Sequence, residues 1–288
     1  KDRLVVDLKL SSSNAFAARV GEIYGTRDLK GPEDSIKKPA VKPATKPLPP
    51  RGPQTRKKLY TIVLDPGHGG EDPGASAHGV TEKLITLSTA KELKRQLEET
   101  GRYKVVMTRS KDVYIKLRER LDISRQVGGD LFISIHADKV EREGVRGASI
   151  YTLSETASDA ETARLAEDEN NAGFVAGVDL SQESQDVADI LLDLAMREKM
   201  NESKVFADAL KRALREQNVR LLPNSHRSAG FAVLKAPDVP SALIEIGFLS
   251  HSEEAKLLSS LSFQRKISTA IVNGIDQYFR KMQSLQKQ

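Results

Sequence analysis

Three polar residues stand where apolar runs of the sequence end, and their side chains are those of metal ligands and general bases. His68 follows "TIVLD" within the glycine-rich "PGHGG", His136 closes "FISIH", and Glu245 interrupts "ALIEIGF". A lone loop histidine is usually exposed, and "GHGGEDPG" matches neither GxGxxG nor the P-loop pattern. Three such residues together indicate an active site, because sites in α/β sheets lie beyond the carboxyl ends of strands.

Zinc is the cofactor that these residue types favour. The chain has no cysteine, so thiolate zinc sites and disulfides are excluded, and zinc would need histidine and carboxylate ligands. His68, Glu82 and His136 are the candidate ligands, since Glu82 begins the helix after the glycine-rich loop, where the helix dipole favours a carboxylate. A catalytic zinc takes three protein ligands and leaves its fourth position to water. Asp65 and Asp138 are expected to orient the imidazoles.

Two further features complete the predicted centre. Gly67, Gly69 and Gly70 are expected to let the backbone pass close to the metal. Glu245 is the candidate general base, because an ionised side chain within an apolar run is costly unless it is paired or functional. It would take a proton from zinc-activated water, whose pKa falls to about 7, and return it to a leaving amine. The predicted reaction class is metal-assisted hydrolysis of an amide.

The elements that must position these residues alternate between strands and helices from Leu59 onward. Nearly all-apolar strands alternating with helices indicate a mainly parallel or mixed sheet covered on both faces. One predicted helix has Thr81 as its N-cap and Ala90, Leu93 and Leu97 on one face. The predicted strands are "YTIVLD", "YKVVMTR", "LFISIHAD", "GASIYTL", "FAVL" and "SALIEIGFL", and the other predicted helices are "IKLRERLDISRQV" and about 263–279.

Composition bounds the class of protein and its partners. Hydrophobic residues make up 39% and charged residues 30%, which is typical of a soluble globular protein with a polar appendage. No apolar run reaches 18 residues, so no membrane span is predicted. Residues 37–58 carry eight Lys or Arg and no acid, yet aromatic residues are only 5% of the chain, so a solvated linker is favoured over nucleic-acid binding. Because the chain begins at Lys1 without a signal peptide pattern, we expect a processed or truncated piece.

The ordered segments resemble the zinc-dependent N-acetylmuramoyl-L-alanine amidases of the type 3 family over about residues 59–280. The resemblance is carried by "IVLDPGHGGEDPGA", "TEK", "LRERLDIS", "FISIHAD", "FAVLKAPDVPSALIEIGFLS" and "EEAKLL". It implies an α/β fold with a mixed, mainly parallel six-stranded sheet flanked by helices. It also implies cleavage of the amide between N-acetylmuramic acid and L-alanine in peptidoglycan, with His68, Glu82 and His136 as zinc ligands and Glu245 as the catalytic residue.

The resemblance extends to domain organisation. "DRLVVDL" resembles the end of an AMIN module, so residues 1–30 are interpreted as the remnant of that module and the proline-rich residues 31–58 as a linker. Residues 59–288 are then the catalytic domain, and residues 154–200 a helical insertion. This arrangement implies export to the periplasm and a role in cell-wall remodelling and daughter-cell separation. We expect a monomer.

The insertion is predicted to be an autoinhibitory lid over the active site. "ASDAETARLAEDENNAG" can form a helix in which Ala163, Leu165 and Ala166 pack on the site. Glu167 and Glu169 point about 200° apart on a helix, and Glu169 is favoured as the zinc-blocking carboxylate because it lies in the last turn. The alternative is an acidic, solvated helix pair without a regulatory role.

The family resemblance also implies that a LytM-domain activator releases this helix. The activator would bind the insertion on the apolar residues 173–178 and on a stripe formed by Val187, Ile190, Leu191 and Leu194.

Other residues and functions stay open. His226, Arg227 and Lys235 are candidates for substrate contacts, with the two basic side chains pairing with peptide carboxylates. His78 is expected to be exposed, and His251 stands where the family usually has asparagine. The alternatives to an amidase are a zinc carboxypeptidase-like peptidase and a non-catalytic wall-binding module.

Overall fold

The computed structural model describes residues 59–140, 144–172, 188–236 and 238–285. The predicted N-terminal module, the linker and the proposed activator surface at 173–178 lie outside the described residues, as does Val187. Within the described part of the chain, no helix combines the length and the apolar character that crossing a bilayer requires.

Strands and helices alternate as the sequence predicts. The strands are β1 (Tyr60–Pro66), β2 (Ser76–Ala77), β3 (Val80–Thr81), β4 (Tyr103–Met107), β5 (Leu131–His136), β6 (Ala148–Leu153), β7 (Leu221–Ala229) and β8 (Ser241–Glu245). The helices are α1 (Glu82–Glu99), α2 (Leu117–Gln126), α3 (Ala160–Ala172), α4 (Ala188–Glu216), α5 (Ser252–Leu258) and α6 (Leu261–Leu285), with a 3₁₀ turn at Ala232–Leu234.

A six-stranded sheet of order β4-β1-β5-β8-β6-β7 organises the described residues. Its neighbouring strands are parallel except for β6 and β8, which are antiparallel. The predicted fold class, a mixed and mainly parallel sheet flanked by helices, is therefore confirmed. β1, β5 and β8 lie side by side and in parallel, so their carboxyl ends, which carry the predicted site residues, meet at one edge.

Apolar layers cover both faces of the sheet, as the nearly all-apolar strands predict. On one face Ile62, Ile133 and Ile244 pack in the cluster that includes α1, α4 and α6. On the other face Val63 and Phe132 pack in a second cluster with α3 and the 3₁₀ turn. The polar site residues occupy this second face, because side chains alternate along each strand.

Two predictions about the last strands are wrong. "FAVL" is not a strand: Ala232–Leu234 form a 3₁₀ turn. The sixth strand is β7, whose sequence "LLPNSHRSA" was not predicted to be extended. β7 lies at the edge of the sheet, where proline and polar residues are tolerated. The apolar character of "FAVL" instead reflects burial of Val233 and Leu234 in the second cluster.

The described residues of the predicted insertion contribute to two helices, α3 and α4. In α3, Leu165 and Ala166 are buried as expected, but Ala163 is exposed, so its predicted packing role is wrong. α4 continues beyond residue 200, and its later turns bury Phe206 and Leu210 in the core under the sheet. The second helix is therefore anchored in the domain by its carboxyl half.

Candidate metal centre and active site

Four side chains from four separate elements converge at the carboxyl edge of the sheet. His68 lies in the loop after β1, Glu82 is the first residue of α1, His136 ends β5, and Glu169 lies in the last turn of α3. Each offers one ligand atom, and these atoms all lie within 4.8 Å of one another. His68, Glu82 and His136 are buried, so the group is enclosed rather than a chance surface cluster.

The distances within this cluster fit a single small cation. His68 Nε2 lies 3.2 Å from Glu82 Oε2, and His136 Nδ1 lies 3.3 Å from Glu82 Oε1 and 3.2 Å from Glu169 Oε2. Two atoms bound tetrahedrally to zinc at about 2.0–2.2 Å are roughly 3.3–3.6 Å apart. His68 Nε2 and His136 Nδ1 are buried and have no hydrogen-bond partner. Orphaned imidazole nitrogens beside carboxylates are the donor set that zinc takes without cysteine.

Carboxylates outside the cluster fix both imidazoles. His68 Nδ1 donates to Asp72 Oδ2 at 2.9 Å, which leaves its Nε2 lone pair facing the cluster. His136 Nε2 lies 3.2 Å from Ser134 Oγ, which donates to Asp65 Oδ2 at 2.8 Å. A direct contact between Asp65 and an imidazole was predicted, but Asp65 instead contacts His136 through the Ser134 hydroxyl.

The other predicted orienting carboxylate is placed differently. The backbone N–H of Asp138 donates to Glu245, and among the described contacts its carboxylate makes no hydrogen bond to either imidazole. Asp72 was missed, although a carboxylate four residues after His68 is a signal that the sequence does contain.

Glycine is required at two positions where the backbone touches the cluster. A Cβ on Gly67 would lie 2.4 Å from Cε1 of His136, and a Cβ on Gly74 would lie 2.5 Å from Cδ2 of His68. Gly69 and Gly70, which were predicted to face the metal, instead approach the 109–114 segment and adopt positive φ angles. The prediction of close backbone approach is therefore right for Gly67 only.

A buried ion pair supports the loop that carries His68. Arg120 Nη1 donates to Asp65 Oδ1 at 2.8 Å, and Arg120 Nη2 donates to the carbonyl of His68 at 3.1 Å. Burial alone would raise the pKa of Asp65, but Arg120, Thr108 and Ser134 together hold it below its ordinary value. The buried Arg120–Asp65 ion pair thus holds the loop that carries His68 in place.

The electrostatics of the cluster call for a positive charge. Burial alone would lower the pKa of His68, yet Glu82, Asp72 and Glu169 raise it to about 10. Burial likewise opposes protonation of His136, but Glu169 and Glu82 raise its pKa well above the ordinary value. The carboxylates therefore favour positive charge on both imidazoles. A divalent ion bound between these side chains would supply that charge in place of the protons on His68 and His136.

Glu245 stands next to this cluster on the neighbouring strand. It pairs in register with His136, and both residues are on the second face of the sheet. Its Oε2 accepts a hydrogen bond of 3.0 Å from the backbone N–H of Asp138, while its buried Oε1 has no partner. Burial raises the pKa of Glu245 well above its ordinary value. Burial also raises the pKa of Asp138, to about 7, and Glu82 and Glu169 contribute.

The predicted substrate residues separate onto the two faces of the sheet. His226 pairs in register with Ile150 and contacts Thr152, so it lies on the face opposite the cluster. Arg227 follows it and lies on the cluster face, where its guanidinium contacts Glu161 at 3.2 Å. The structure thus brings Arg227, but not His226, to the side of the molecule that carries Glu245.

The remaining candidates lie outside the cluster. Lys235 is exposed beyond the 3₁₀ turn, and His78 is exposed as expected. His251 is the residue before α5, at the N-cap position, and its side chain makes no capping hydrogen bond.

Comparison with known proteins identifies the family of this arrangement. The profile of Amidase_3, described as N-acetylmuramoyl-L-alanine amidase, matches residues 62–277. The chain belongs to this family. The chain is 39% identical over 283 residues to N-acetylmuramoyl-L-alanine amidase AmiC of Neisseria meningitidis, and the match covers 96% of the chain and 66% of that relative. The chain therefore spans just under two thirds of the length of this relative.

Two further comparisons agree with this assignment. The chain is 37% identical over 220 residues to N-acetylmuramoyl-L-alanine amidase AmiA of Escherichia coli K12, over 76% of the chain and 75% of that relative. It also matches the CwlD amidase from Clostridioides difficile, solved in complex with the GerS lipoprotein, at 25% identity. That match has a TM-score of 0.56 and covers 77% of this chain and 98% of CwlD.

Proposed function

We propose that the protein is a zinc-dependent peptidoglycan hydrolase that cleaves the amide between N-acetylmuramic acid and L-alanine. The observation that carries the proposal is the pair of orphaned imidazole nitrogens of His68 and His136, which face the Glu82 carboxylate beside the buried Glu245. The relatives named N-acetylmuramoyl-L-alanine amidase support the substrate class.

The chain's residues divide into ligands and a base. His68, Glu82 and His136 would hold the ion, and Asp72 and the Ser134 hydroxyl keep the imidazoles in the tautomers that ligation requires. A zinc ion held there would lower the pKa of a bound water molecule to about 7 and would polarise a carbonyl group. The residues that carry protons in the reaction lie outside this ligand set.

Glu245 performs the proton transfers. Its unpartnered Oε1 accepts the proton of the attacking water and then delivers it to the nitrogen of the leaving L-alanine. The backbone N–H of Asp138 holds the other oxygen in place. A raised pKa suits this role, since a base is most effective when its pKa lies near the working pH.

Autoinhibition by α3 is part of the proposal. Glu169 offers a fourth ligand atom to the cluster, and a carboxylate bound there would compete with the water that a zinc ion would activate. Leu165 and Ala166 are buried against the second face, and Asn170 makes two hydrogen bonds to the 230–232 segment. These contacts favour a closed state in which the centre is filled from within the chain.

The wider setting follows from the family resemblance. We infer an exported, periplasmic enzyme that acts in daughter-cell separation, with residues 1–30 as the end of an AMIN module and 31–58 as a linker. A LytM-domain activator that displaces the insertion at 154–200 is the proposed partner. The solved complex of CwlD with a lipoprotein is a precedent for a protein partner of an amidase.

Digestion of purified sacculi separates the candidate activities. An amidase releases stem peptides with a free L-alanine amino terminus, a carboxypeptidase-like enzyme releases carboxyl-terminal residues, and a wall-binding module releases nothing. Mass spectrometry of the soluble fraction identifies the product. Replacing residues 155–199 by a short glycine linker should raise hydrolysis. A folded, zinc-loaded deletion with unchanged or lower activity would exclude the autoinhibition model.

A further inference from the structure

A cavity of about 390 Å³ lies beside α3 on the sheet face that carries Glu245. Its wall includes Asp138, whose backbone N–H holds Glu245, together with Tyr151 and Phe248. Arg227 of β7 also lines the cavity. The cavity therefore extends from Asp138, the neighbour of Glu245, to a guanidinium on the edge strand.

The sheet register sets the distance between these two groups. Arg227 pairs with Tyr151 on β6, and Ser149 of the same strand pairs with Glu245. Two strand spacings of about 4.8 Å and two residues of about 3.3 Å place the Cα atoms of Arg227 and Glu245 roughly 12 Å apart. One peptide residue spans about 3.5 Å, and the long arginine side chain covers much of the remaining distance. A carboxylate one residue beyond the scissile amide is within its reach.

Carboxylates from the start of α3 occupy Arg227 in this structure. Glu161 Oε2 accepts a hydrogen bond of 3.2 Å from Arg227 Nη1, and Asp159 Oδ2 lies 3.7 Å from Nε. The Arg227 side chain is only 13% exposed. Glu161 belongs to the same helix as Glu169, so departure of α3 from the metal centre would also remove the carboxylate from Arg227. The guanidinium would then be free to bind another anionic partner.

We propose that Arg227 is the specificity-determining residue that binds a free carboxylate on the second residue of the stem peptide. In the closed state Glu161 binds the Arg227 guanidinium, and in the open state the substrate carboxylate takes the place of Glu161. This inference rests on the proposed amidase function. In peptidoglycan stem peptides the second residue is D-glutamate, whose nitrogen is joined to L-alanine and whose γ-carboxyl group is joined to the third residue. Its α-carboxylate is therefore free unless it is amidated. Arginine suits this role because its planar fork matches a carboxylate.

A competition between lid and substrate follows. In the closed state α3 places one carboxylate at each of two points, Glu169 at the metal centre and Glu161 at Arg227. The substrate would have to bind at both points, so the lid and the substrate exclude each other. Removal of the Glu161 charge should therefore free the subsite while leaving Arg227 intact. Removal of the Arg227 charge weakens both the lid and the substrate contact, so a binding measurement is more informative than a rate.

Isothermal titration calorimetry on the full chain, reconstituted with zinc, tests the subsite. The probes are L-alanyl-D-glutamine and its α-amide; in both, the γ-carboxyl group is amidated, as it is in the stem peptide, so they differ only in whether the α-carboxyl group is free or amidated. The Glu161→Gln variant should bind the acid at least about tenfold more tightly than the amide, equivalent to about 1.4 kcal/mol. Adding Arg227→Gln should abolish the preference, and Arg227→Lys should retain part of it.

Two controls keep the result interpretable. Arg125→Gln removes a guanidinium whose pair with Asp238 is exposed and does not line the cavity, and it should leave the preference unchanged. Circular dichroism and melting temperature establish that the Arg227 variants are folded.

The outcomes separate this inference from the proposed function. Equal affinity for the two dipeptides in Glu161→Gln, absence of binding, or a preference that survives Arg227→Gln overturns the subsite. Failure of the amidase proposal would show instead in the sacculus digestion, which does not depend on this preference.

Discussion

Replacing Asn170 by alanine should raise basal hydrolysis of sacculi without removing zinc. Asn170 follows Glu169 in the last turn of α3, and its amide anchors that turn to the segment after β7. Its Nδ2 donates to the carbonyl of Gly230 at 3.0 Å, and its Oδ1 accepts from the backbone N–H of Ala232 at 2.7 Å. Asn170 is not a member of the ligand cluster, so the variant tests the lid apart from the metal.

The size of the effect follows from these two bonds. Each contributes about 1 kcal/mol net, so their loss favours the open lid by about 2 kcal/mol, or roughly 30-fold. While the closed state predominates, the rate is proportional to the open fraction. Basal hydrolysis should therefore rise by roughly 30-fold.

Dye release from labelled sacculi measures the rate, and atomic absorption measures zinc on the same samples. Asn171→Ala is the matched control, because Asn171 is the exposed neighbour in the same helix. Its hydrolysis should equal that of the wild type. An unchanged rate in a folded, zinc-loaded Asn170→Ala protein, or equal increases in both variants, would refute the anchoring role of Asn170.

Three further perturbations test the surroundings of the centre. Asp72→Asn should weaken zinc binding by about 10- to 100-fold in a chelator competition, because the His68 tautomer loses its partner; wild-type affinity would contradict this. Gly67→Ala should cost about 1–3 kcal/mol in urea unfolding and weaken zinc binding, since its Cβ meets the His136 ring; wild-type values for both would be inconsistent with the close approach. Asp65→Asn should cost about 3–5 kcal/mol at neutral pH. Because the pKa of Asp65 is held below 3.8, its contribution persists above that pH and is lost as the pH falls through the lowered value. The difference from wild type should therefore narrow below pH 4, and a constant difference would argue against the ion pair.

The sequence predicts the sheet and the cluster where residue type and strand pattern agree. His68, His136 and Glu245 follow long apolar runs, and parallel strands bring their ends together whatever the details of the loops. Glu82 could be predicted because it starts a strongly periodic helix. The Glu169 position could be predicted because helical geometry allows only one of two neighbouring acids to face inward, and Glu169 is the one in the last turn of the helix.

Other features depend on contacts that a linear pattern does not encode. β7 was missed because an edge strand tolerates proline and polar residues, so it lacks the apolar signature of central strands. His226 and Arg227 are neighbours in sequence, but the pleat directs them to opposite faces. Asp72 reaches His68 only because the loop between them folds back on itself, with φ of 60° at His68.

Joint measurement of zinc and hydrolysis on Glu245→Gln and His136→Ala tests the central claim most directly. Glu245→Gln should retain about one zinc per chain but release no L-alanine-terminated peptides, because the ligands remain and the base is lost. His136→Ala should lose both zinc and hydrolysis. Wild-type hydrolysis by Glu245→Gln, or full zinc occupancy in His136→Ala, would contradict the division into ligands and base.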